Sequence, residues 1–190
     1  LIAMHAHNVP DGFTEDEEKA ALAATPIAVP REDLRQTPLI TIDPEDARDH
    51  DDAVFAEPDT DPKNKDGWRV IVAIADVAAY VRHGELLDDG AYRRGNSTYF
   101  PDRVSPMLPE ALSADQCSLR EHEDRLCFAL EMRFDAQGNK IAHRFARAIM
   151  RSAAKLSYHQ AQAAIDGKPD ETSAPLLETV LKPLWAAYFT

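Results

Sequence analysis

The chain has 190 residues, of which 44% are hydrophobic and 28% are charged. This length and composition fit one globular domain with a buried core and exclude an intrinsically disordered protein. The formal net charge of −12 argues against a broadly basic surface for nucleic acid, but total charge says little about any single site.

Targeting and redox features are scarce in this sequence. It contains no apolar run of eighteen residues, and the opening LIAMHAHNVPDG lacks the basic region, apolar stretch and cleavage site of a secretory signal. We therefore expect a soluble cytoplasmic protein without a membrane segment. The two cysteines, Cys117 and Cys127, form no CxxC motif, so we expect buried thiols rather than a disulfide or a structural zinc site.

The first predicted element is a short helix. Thr14 and Glu17 have the spacing of a capping box, which predicts a helix from about Glu15 to Ala24. Pro26 and Pro30 follow directly and would end it.

Two apolar runs then predict neighbouring strands. Leu39–Asp43 is apolar and β-branched, and Pro44 would end this strand so that Asp43 opens an acidic loop. Val70–Ala75 is apolar enough for a strand that is covered on both faces. Turn-forming residues occupy 57–67 before it, which predicts a hairpin-like connection.

The middle of the chain predicts a helix, a long loop and further strands. Glu85–Arg94 has helical character and Gly95 would close the helix, before a proline-rich irregular stretch that reaches Cys117. Leu126–Phe134 alternates as a strand does. Ile141–Arg151 fits either a strand or a helix, and we favour a strand.

The last predicted elements are helical. Ser157 and Gln160 form a second capping box, and Gly167 stands where that helix should end. Apolar residues from Leu177 to Tyr188 follow a helical period, in which Pro183 should introduce a kink.

The segment DPEDARDHDD, residues 43–52, concentrates negative charge. The simplest interpretation is a solvated acidic loop. Predicted strands hold the segment near the core, however, so cations are the natural compensation for the repulsion. Hard oxygen ligands at this spacing suit Mg²⁺ or Mn²⁺, and two such ions are a known arrangement for displacement at phosphorus. The six carboxylates are those of Asp43, Glu45, Asp46, Asp49, Asp51 and Asp52.

The string TIDPEDARDHDDAVF, residues 41–55, resembles the signature of the ribonuclease II and ribonuclease R catalytic domain, called the RNB domain. The likeness continues through WRVIVAIADVAAYV and as far as RFARAIMRSAAKLSY, so it covers nearly the whole chain. It implies an α+β fold, a mixed β-sheet with flanking helices. Residues 31–190 would be the N-terminal half of the catalytic domain, and residues 1–30 a linker and helix trailing from an upstream RNA-binding domain.

The resemblance also implies the catalytic residues. Asp43, Asp49, Asp51 and Asp52 match the four aspartates that hold the metals at the scissile phosphate, with Asp51 closest to the chemistry. Two neighbours depart from the family pattern, since Pro44 replaces a common glycine and His50 replaces a larger apolar side chain. Neither change removes a ligand, and His50 could add sensitivity to pH.

Aromatic and basic residues are implied at the RNA. Tyr99 matches a tyrosine that stacks on bases, and Tyr158 matches an aromatic position near the 3′ end of bound RNA. Without the family, packing is the simpler interpretation of Tyr99, and Tyr158 would be an ordinary half-buried tyrosine. A basic row could follow the phosphates, although a solvated face is an equal alternative, and it comprises Arg144, Arg147, Arg151 and Lys155.

Asp76 and the N-terminal histidines are lesser candidates. Asp76 could orient the metal site from behind its ligands or could cap the end of a strand. His5 and His7 have no third ligand nearby and are interpreted as surface residues.

The resemblance implies a hydrolytic 3′-to-5′ exoribonuclease that acts processively on single-stranded RNA and releases nucleoside 5′-monophosphates. It would use Mg²⁺ or Mn²⁺, be monomeric when full length and work with RNA-decay machinery, and this chain alone should be inactive. Two alternatives stay open: a non-catalytic RNA-binding or regulatory relative, and a metal-binding scaffold without a nucleic-acid role.

Overall fold

A mixed sheet of seven strands forms the centre of the structure, a computed structural model that describes residues 4, 6, 7 and 9–190. Its strands in chain order are β1 (Glu32–Asp33), β2 (Ile40–Asp43), β3 (Asp52–Pro58), β4 (Trp68–Ala75), β7 (Asp124–Phe134), β8 (Lys140–Arg151) and β9 (Ala154–Ser157). Two short strands, β5 (Thr98–Tyr99) and β6 (Val104–Ser105), pair separately.

The order across the sheet is β1-β8-β7-β4-β3-β2-β9, and it mixes parallel with antiparallel pairs. The β2–β3, β3–β4, β4–β7 and β7–β8 pairs are antiparallel, whereas β1–β8 and β2–β9 are parallel. The predicted mixed sheet is confirmed, as are the β3–β4 hairpin and the strand, rather than helix, at residues 141–151.

Within residues 9–190, four α-helices flank the sheet: α1 (Glu15–Ala23), α2 (Leu86–Arg94), α3 (Tyr158–Ile165) and α4 (Lys182–Tyr188). Both predicted capping boxes are present, at the starts of α1 and α3. Gly95 ends α2 with a φ of 78°, a backbone conformation that favours glycine. Short 3₁₀ turns occupy Val77–Ala79 and Ala174–Leu176.

Two regions, one predicted to be irregular and one predicted to be helical, contain helical turns of an unusual kind. Ala111–Gln116, within the proline-rich stretch, forms a π-helical segment. Leu177–Leu181 forms another, and the chain changes to α-helix at Lys182. Pro183 lies in that first α-helical turn, where its missing N–H breaks the regular bonding, so the predicted single helix is two segments.

One face of the sheet carries small side chains that belong to the buried core. Ala53, Ala73 and Ala129 lie opposite one another on β3, β4 and β7, and each is at most 4% exposed. They share the core with Leu87 of α2 and Leu112 of the π-helical segment. Small side chains let covering elements pack closely on this face, which is what keeps the neighbouring loops in place.

The two cysteines lie in this core as free thiols, as predicted. Burial raises the pKa of both Cys117 and Cys127 to about 12, so neither is a reactive thiolate at neutral pH. Within the described ranges, none of the helices has the length and apolar character needed to span a bilayer.

Candidate metal centre

The acidic segment lies where two strand ends meet. β2 ends at Asp43 and β3 begins at Asp52, and the antiparallel pairing of the two strands brings these ends to one edge of the sheet. On the other side of β2, Asp43 lies opposite Ser157 of β9. The fold therefore holds the loop 44–51 between two anchored strand ends.

Three of the four predicted aspartates converge. One carboxylate oxygen from each of Asp43, Asp51 and Asp52 lies within 4.8 Å of the other two. Asp43 is buried, at 7% exposed, while the other two are open enough to be reached from solvent. Three converging hard oxygens are a donor set that suits a small divalent cation such as Mg²⁺ or Mn²⁺.

The electrostatics of the cluster favour the binding of a cation. Burial raises the pKa of Asp51, and the neighbouring carboxylates of Asp49 and Asp43 raise it further. Burial also raises the pKa of Asp52, with added repulsion from Asp51 and Asp43. Because both causes disfavour the charged form, a bound dication would relieve them together, so the residues present fit a metal ion.

Asp49, the fourth predicted aspartate, is held apart from the other three. Its Oδ2 accepts a hydrogen bond of 3.1 Å from the Tyr99 hydroxyl, across fifty positions of sequence. Asp43, Asp49, Asp51 and Tyr99 line one cleft of about 660 Å³. The structure thus brings the predicted tyrosine to the predicted acidic site, with its ring 67% exposed.

His50 contributes a contact that the sequence reasoning did not predict. Its Nδ1 lies 2.7 Å from Asp43 Oδ2, and its side chain is buried. The His50 N–H donates to Ser118 Oγ at 3.1 Å, while the Leu119 N–H donates to the His50 carbonyl at 2.7 Å. Ser118 and Leu119 carry no local signal for this role, because the contact depends on a loop about seventy residues away.

Tyr158 lies outside the acidic cleft, and the predicted basic residues do not form one row. Tyr158 begins α3 directly after Ser157 and is exposed, so its ring is accessible, but it does not line the acidic cleft. Strand geometry puts Arg147 and Arg151 on one face of β8 and Arg144 on the other. The four residues therefore form no continuous row.

Each member of that set has a partner within the protein. Arg144 contacts Glu32 and Glu131, Arg147 contacts Asp76, and Arg151 contacts Asp124. The Lys155 ammonium donates to the Ala47 carbonyl at 3.0 Å. These contacts reduce the positive charge that the set presents to solvent.

Asp76 takes neither of its two predicted roles directly. It is buried at the end of β4, caps no backbone N–H of the following turn, and contacts Arg31 and Arg147 at 2.8 Å each. Of the N-terminal histidines, His7 is exposed and His5 lies outside the described residues.

Comparisons with known proteins identify the family of this chain. The family described as "RNB domain" matches residues 31–187. Ribonuclease R of Vibrio parahaemolyticus is 44% identical over 195 residues, covering 98% of this chain and 23% of the relative. Ribonuclease R of Escherichia coli K12 is 43% identical over 185 residues, covering 93% and 22%. The chain thus spans less than a quarter of the length of these relatives.

Solved structures show the same fold. Mycoplasma genitalium RNase R in complex with ribose-methylated single-stranded RNA superposes with a TM-score of 0.88 at 27% identity, covering 97% of this chain and 29% of that one. Yeast Ssd1, a pseudonuclease, superposes with a TM-score of 0.68 at 13% identity, covering 87% and 20%. The second likeness shows the fold alone.

Proposed function

The chain belongs to the RNB domain family, with ribonuclease R among its relatives, and from that membership we propose that it carries the metal-binding part of a hydrolytic 3′-to-5′ exoribonuclease. The observation that carries the proposal is the convergence of Asp43, Asp51 and Asp52 on one point beside an open cleft. The family match from residue 31 onward also supports treating residues 31–190 as the catalytic part and residues 1–30 as a linker.

The aspartates would hold one or two Mg²⁺ or Mn²⁺ ions, with Asp49 completing the set from the rim of the cleft. Such ions, when bound, lower the pKa of a water and stabilise the charge that develops on a phosphate. The protein's part is to keep four carboxylates in reach of one phosphodiester. The anchored ends of β2 and β3 do this for Asp43 and Asp52.

Tyr99 would grip the RNA next to the metals. Its exposed ring offers a flat face on which any base can stack, and its hydroxyl lies on Asp49. Tyr158 presents a second exposed ring after β9, the strand beside Asp43. Stacking without base-specific hydrogen bonds suits a processive enzyme that removes nucleoside 5′-monophosphates whatever their base.

The proposed substrate is single-stranded RNA. A relative, Mycoplasma genitalium RNase R, has been solved with single-stranded and with double-stranded RNA, which supports RNA as the ligand class. The net charge of −12 and the paired arginines leave this chain few cations for phosphates. We therefore infer that the 190-residue chain turns RNA over slowly or not at all by itself.

The test is a time course on 5′-labelled single-stranded RNA, using the full-length enzyme that contains this chain, with and without EDTA. A metal-dependent ladder that shortens from the 3′ end supports the proposal. Asp51→Asn should abolish the ladder and leave RNA binding largely intact, because it removes a ligand rather than a stacking group. Glu45→Gln neutralises an exposed carboxylate of the same loop that lies outside the cluster and should change nothing.

The same experiment separates the competing functions. RNA binding without any shortening would indicate a non-catalytic RNA-binding relative. An absence of both, with metal binding retained, would indicate a metal-binding scaffold. Unchanged turnover in Asp51→Asn would refute the assignment of the aspartates.

A further inference from the structure

We propose that His50 is a positioning residue for the metal centre: its imidazole holds the Asp43 carboxylate in the orientation in which it can bind a divalent ion. The inference rests on the proposed function for the identity of the ligands. It goes beyond that function because the family pattern at this position is a larger apolar side chain, which cannot donate a hydrogen bond.

The contact itself has the geometry of a strong hydrogen bond. His50 Nδ1 lies 2.7 Å from Asp43 Oδ2, and the two residues are 4% and 7% exposed. A carboxylate that binds a metal ion only accepts hydrogen bonds, so the proposal requires the ring proton of His50 to be on Nδ1. Hydrogen bonds to a charged group away from water are shorter and stronger than neutral ones, so this one restrains the carboxylate effectively.

The backbone that carries the ring is anchored, and the ring is buried, independently of the contact with Asp43. Ser118 and Leu119 bond the His50 backbone on both its N–H and its carbonyl. The Ser118 hydroxyl also donates to the Arg48 carbonyl at 2.9 Å, which anchors the loop two residues earlier. His50 thus has anchors of its own besides its contact with Asp43.

Strand pairing alone does not orient the Asp43 carboxylate. Its backbone is fixed by pairing in β2, but pairing leaves the rotation of the carboxylate open. With Oδ2 bonded to the ring, the carboxylate has one orientation, and its other oxygen stays free of this bond. Groups that orient a metal ligand from behind typically contribute about 10–100-fold to metal affinity.

The experiment compares Mn²⁺ binding to the wild-type protein and to two variants by isothermal calorimetry and by electron paramagnetic resonance. His50→Phe keeps a ring of similar size and restores the family's apolar character without a donor. We expect its Mn²⁺ affinity to fall by about 10-fold or more. His50→Asn places an amide N–H close to the position of Nδ1 and should recover most of the wild-type affinity.

A matched control exists on the surface. His83 makes the same kind of contact, from Nδ1 to Asp88 Oδ2 at 3.1 Å, but its side chain is fully exposed and away from the cluster. His83→Phe should bind Mn²⁺ as the wild type does. A long-range ¹H–¹⁵N spectrum of the unmodified protein gives a second readout without any variant, since it should show the proton of His50 on Nδ1.

The possible outcomes separate a positioning role of His50 from packing alone and from the absence of a metal centre. Equal affinity in His50→Phe and wild type overturns the positioning role and leaves the metal centre intact. Equal weakness in His50→Phe and His50→Asn also overturns it, because the ring then acts through packing alone. If neither variant folds, the wild-type spectrum still tests the proposal. A proton on Nε2 and not on Nδ1 of His50 overturns the positioning role. A wild-type protein that binds no Mn²⁺ overturns the metal centre proposed above, and the role of His50 with it.

Discussion

Replacing Asp76 with asparagine should destabilise the fold strongly, because it would leave a buried guanidinium without its counter-charge. The Asp76 side chain is 3% exposed, and its Oδ2 lies 2.8 Å from Nη1 of both Arg31 and Arg147. Arg31 is itself 10% exposed. Its contact with Asp76 lacks the alignment of a hydrogen bond, and neither of its terminal nitrogens has a hydrogen-bond partner among the described residues.

The magnitude follows from which arginine can return to water. Arg147 is 33% exposed and can be rehydrated, whereas Arg31 cannot without opening the core. Removing one partner of a buried ion pair costs about 3–5 kcal/mol. A domain of this length loses about 2–4 °C of melting temperature per kcal/mol, so we expect a fall of roughly 6–20 °C.

The assay is urea unfolding followed by circular dichroism, with Asp124→Asn as the matched control. Asp124 also contacts two arginines, Arg35 and Arg151, but it is 34% exposed, and ion pairs at the surface contribute far less to stability than buried ones. Equal losses of stability in the two variants would refute the reasoning. Adding Arg31→Met to Asp76→Asn should restore part of the loss, because it removes the unpaired charge.

Three further predictions concern the site and the thiols. Tyr99→Ala should weaken RNA binding by about 1–3 kcal/mol in filter-binding or anisotropy assays. Tyr99→Phe should not weaken it, because stacking needs the ring and not the hydroxyl that contacts Asp49. Equal effects of the two substitutions would contradict stacking. Burial and neighbouring carboxylates raise the pKa of Asp52 above its usual value of 3.8. The contribution of Asp52 to the stability of the fold is therefore fully present below pH 3.8 and is lost as the pH rises through the folded-state pKa. In urea titrations with EDTA present, Asp52→Asn should therefore be more stable than wild type at pH 7, and the difference should shrink toward pH 4. A variant that is less stable than wild type at pH 7 would show that the repulsion is absent. Cys117 and Cys127 should react with a thiol reagent only as fast as the protein unfolds, and rapid labelling of the native state would contradict their burial.

Local signals in the sequence predicted most elements of the fold. Thr14 with Glu17 and Ser157 with Gln160 are caps whose partners lie three residues apart, so the sequence contains the whole interaction. The strands β2, β4 and β7 follow from apolar runs in the same way. The order of strands does not, since β9 lies beside β2 and β8 beside β1, and such neighbours are decided by packing of the whole chain.

The aspartates were identified by the family resemblance, but their neighbours were not predictable. The contact between Asp43 and His50 depends on how the loop turns, and the contact between Asp49 and Tyr99 joins residues fifty positions apart. The prediction that the basic residues form one row is wrong for a related reason, while their role with RNA stays a prediction. A spacing of three or four residues puts side chains on one face of a helix, whereas on the strand β8 it separates Arg144 from Arg147.

The acidic total of the chain and its proposed role with RNA are compatible once the charges are located. Arg144, Arg147 and Arg151 are each paired with carboxylates of this chain, Arg147 with the buried Asp76, so they present less positive charge to solvent than their number suggests. The carboxylates at the ends of β2 and β3 are instead held close together against their own repulsion, by the pairing of the strands and by the contacts of the loop between them. A dication bound there would remove the repulsion as well as form new bonds, so it would gain more than at carboxylates that are far apart. The same strand pairing that stabilises the fold would therefore prepare the proposed metal centre.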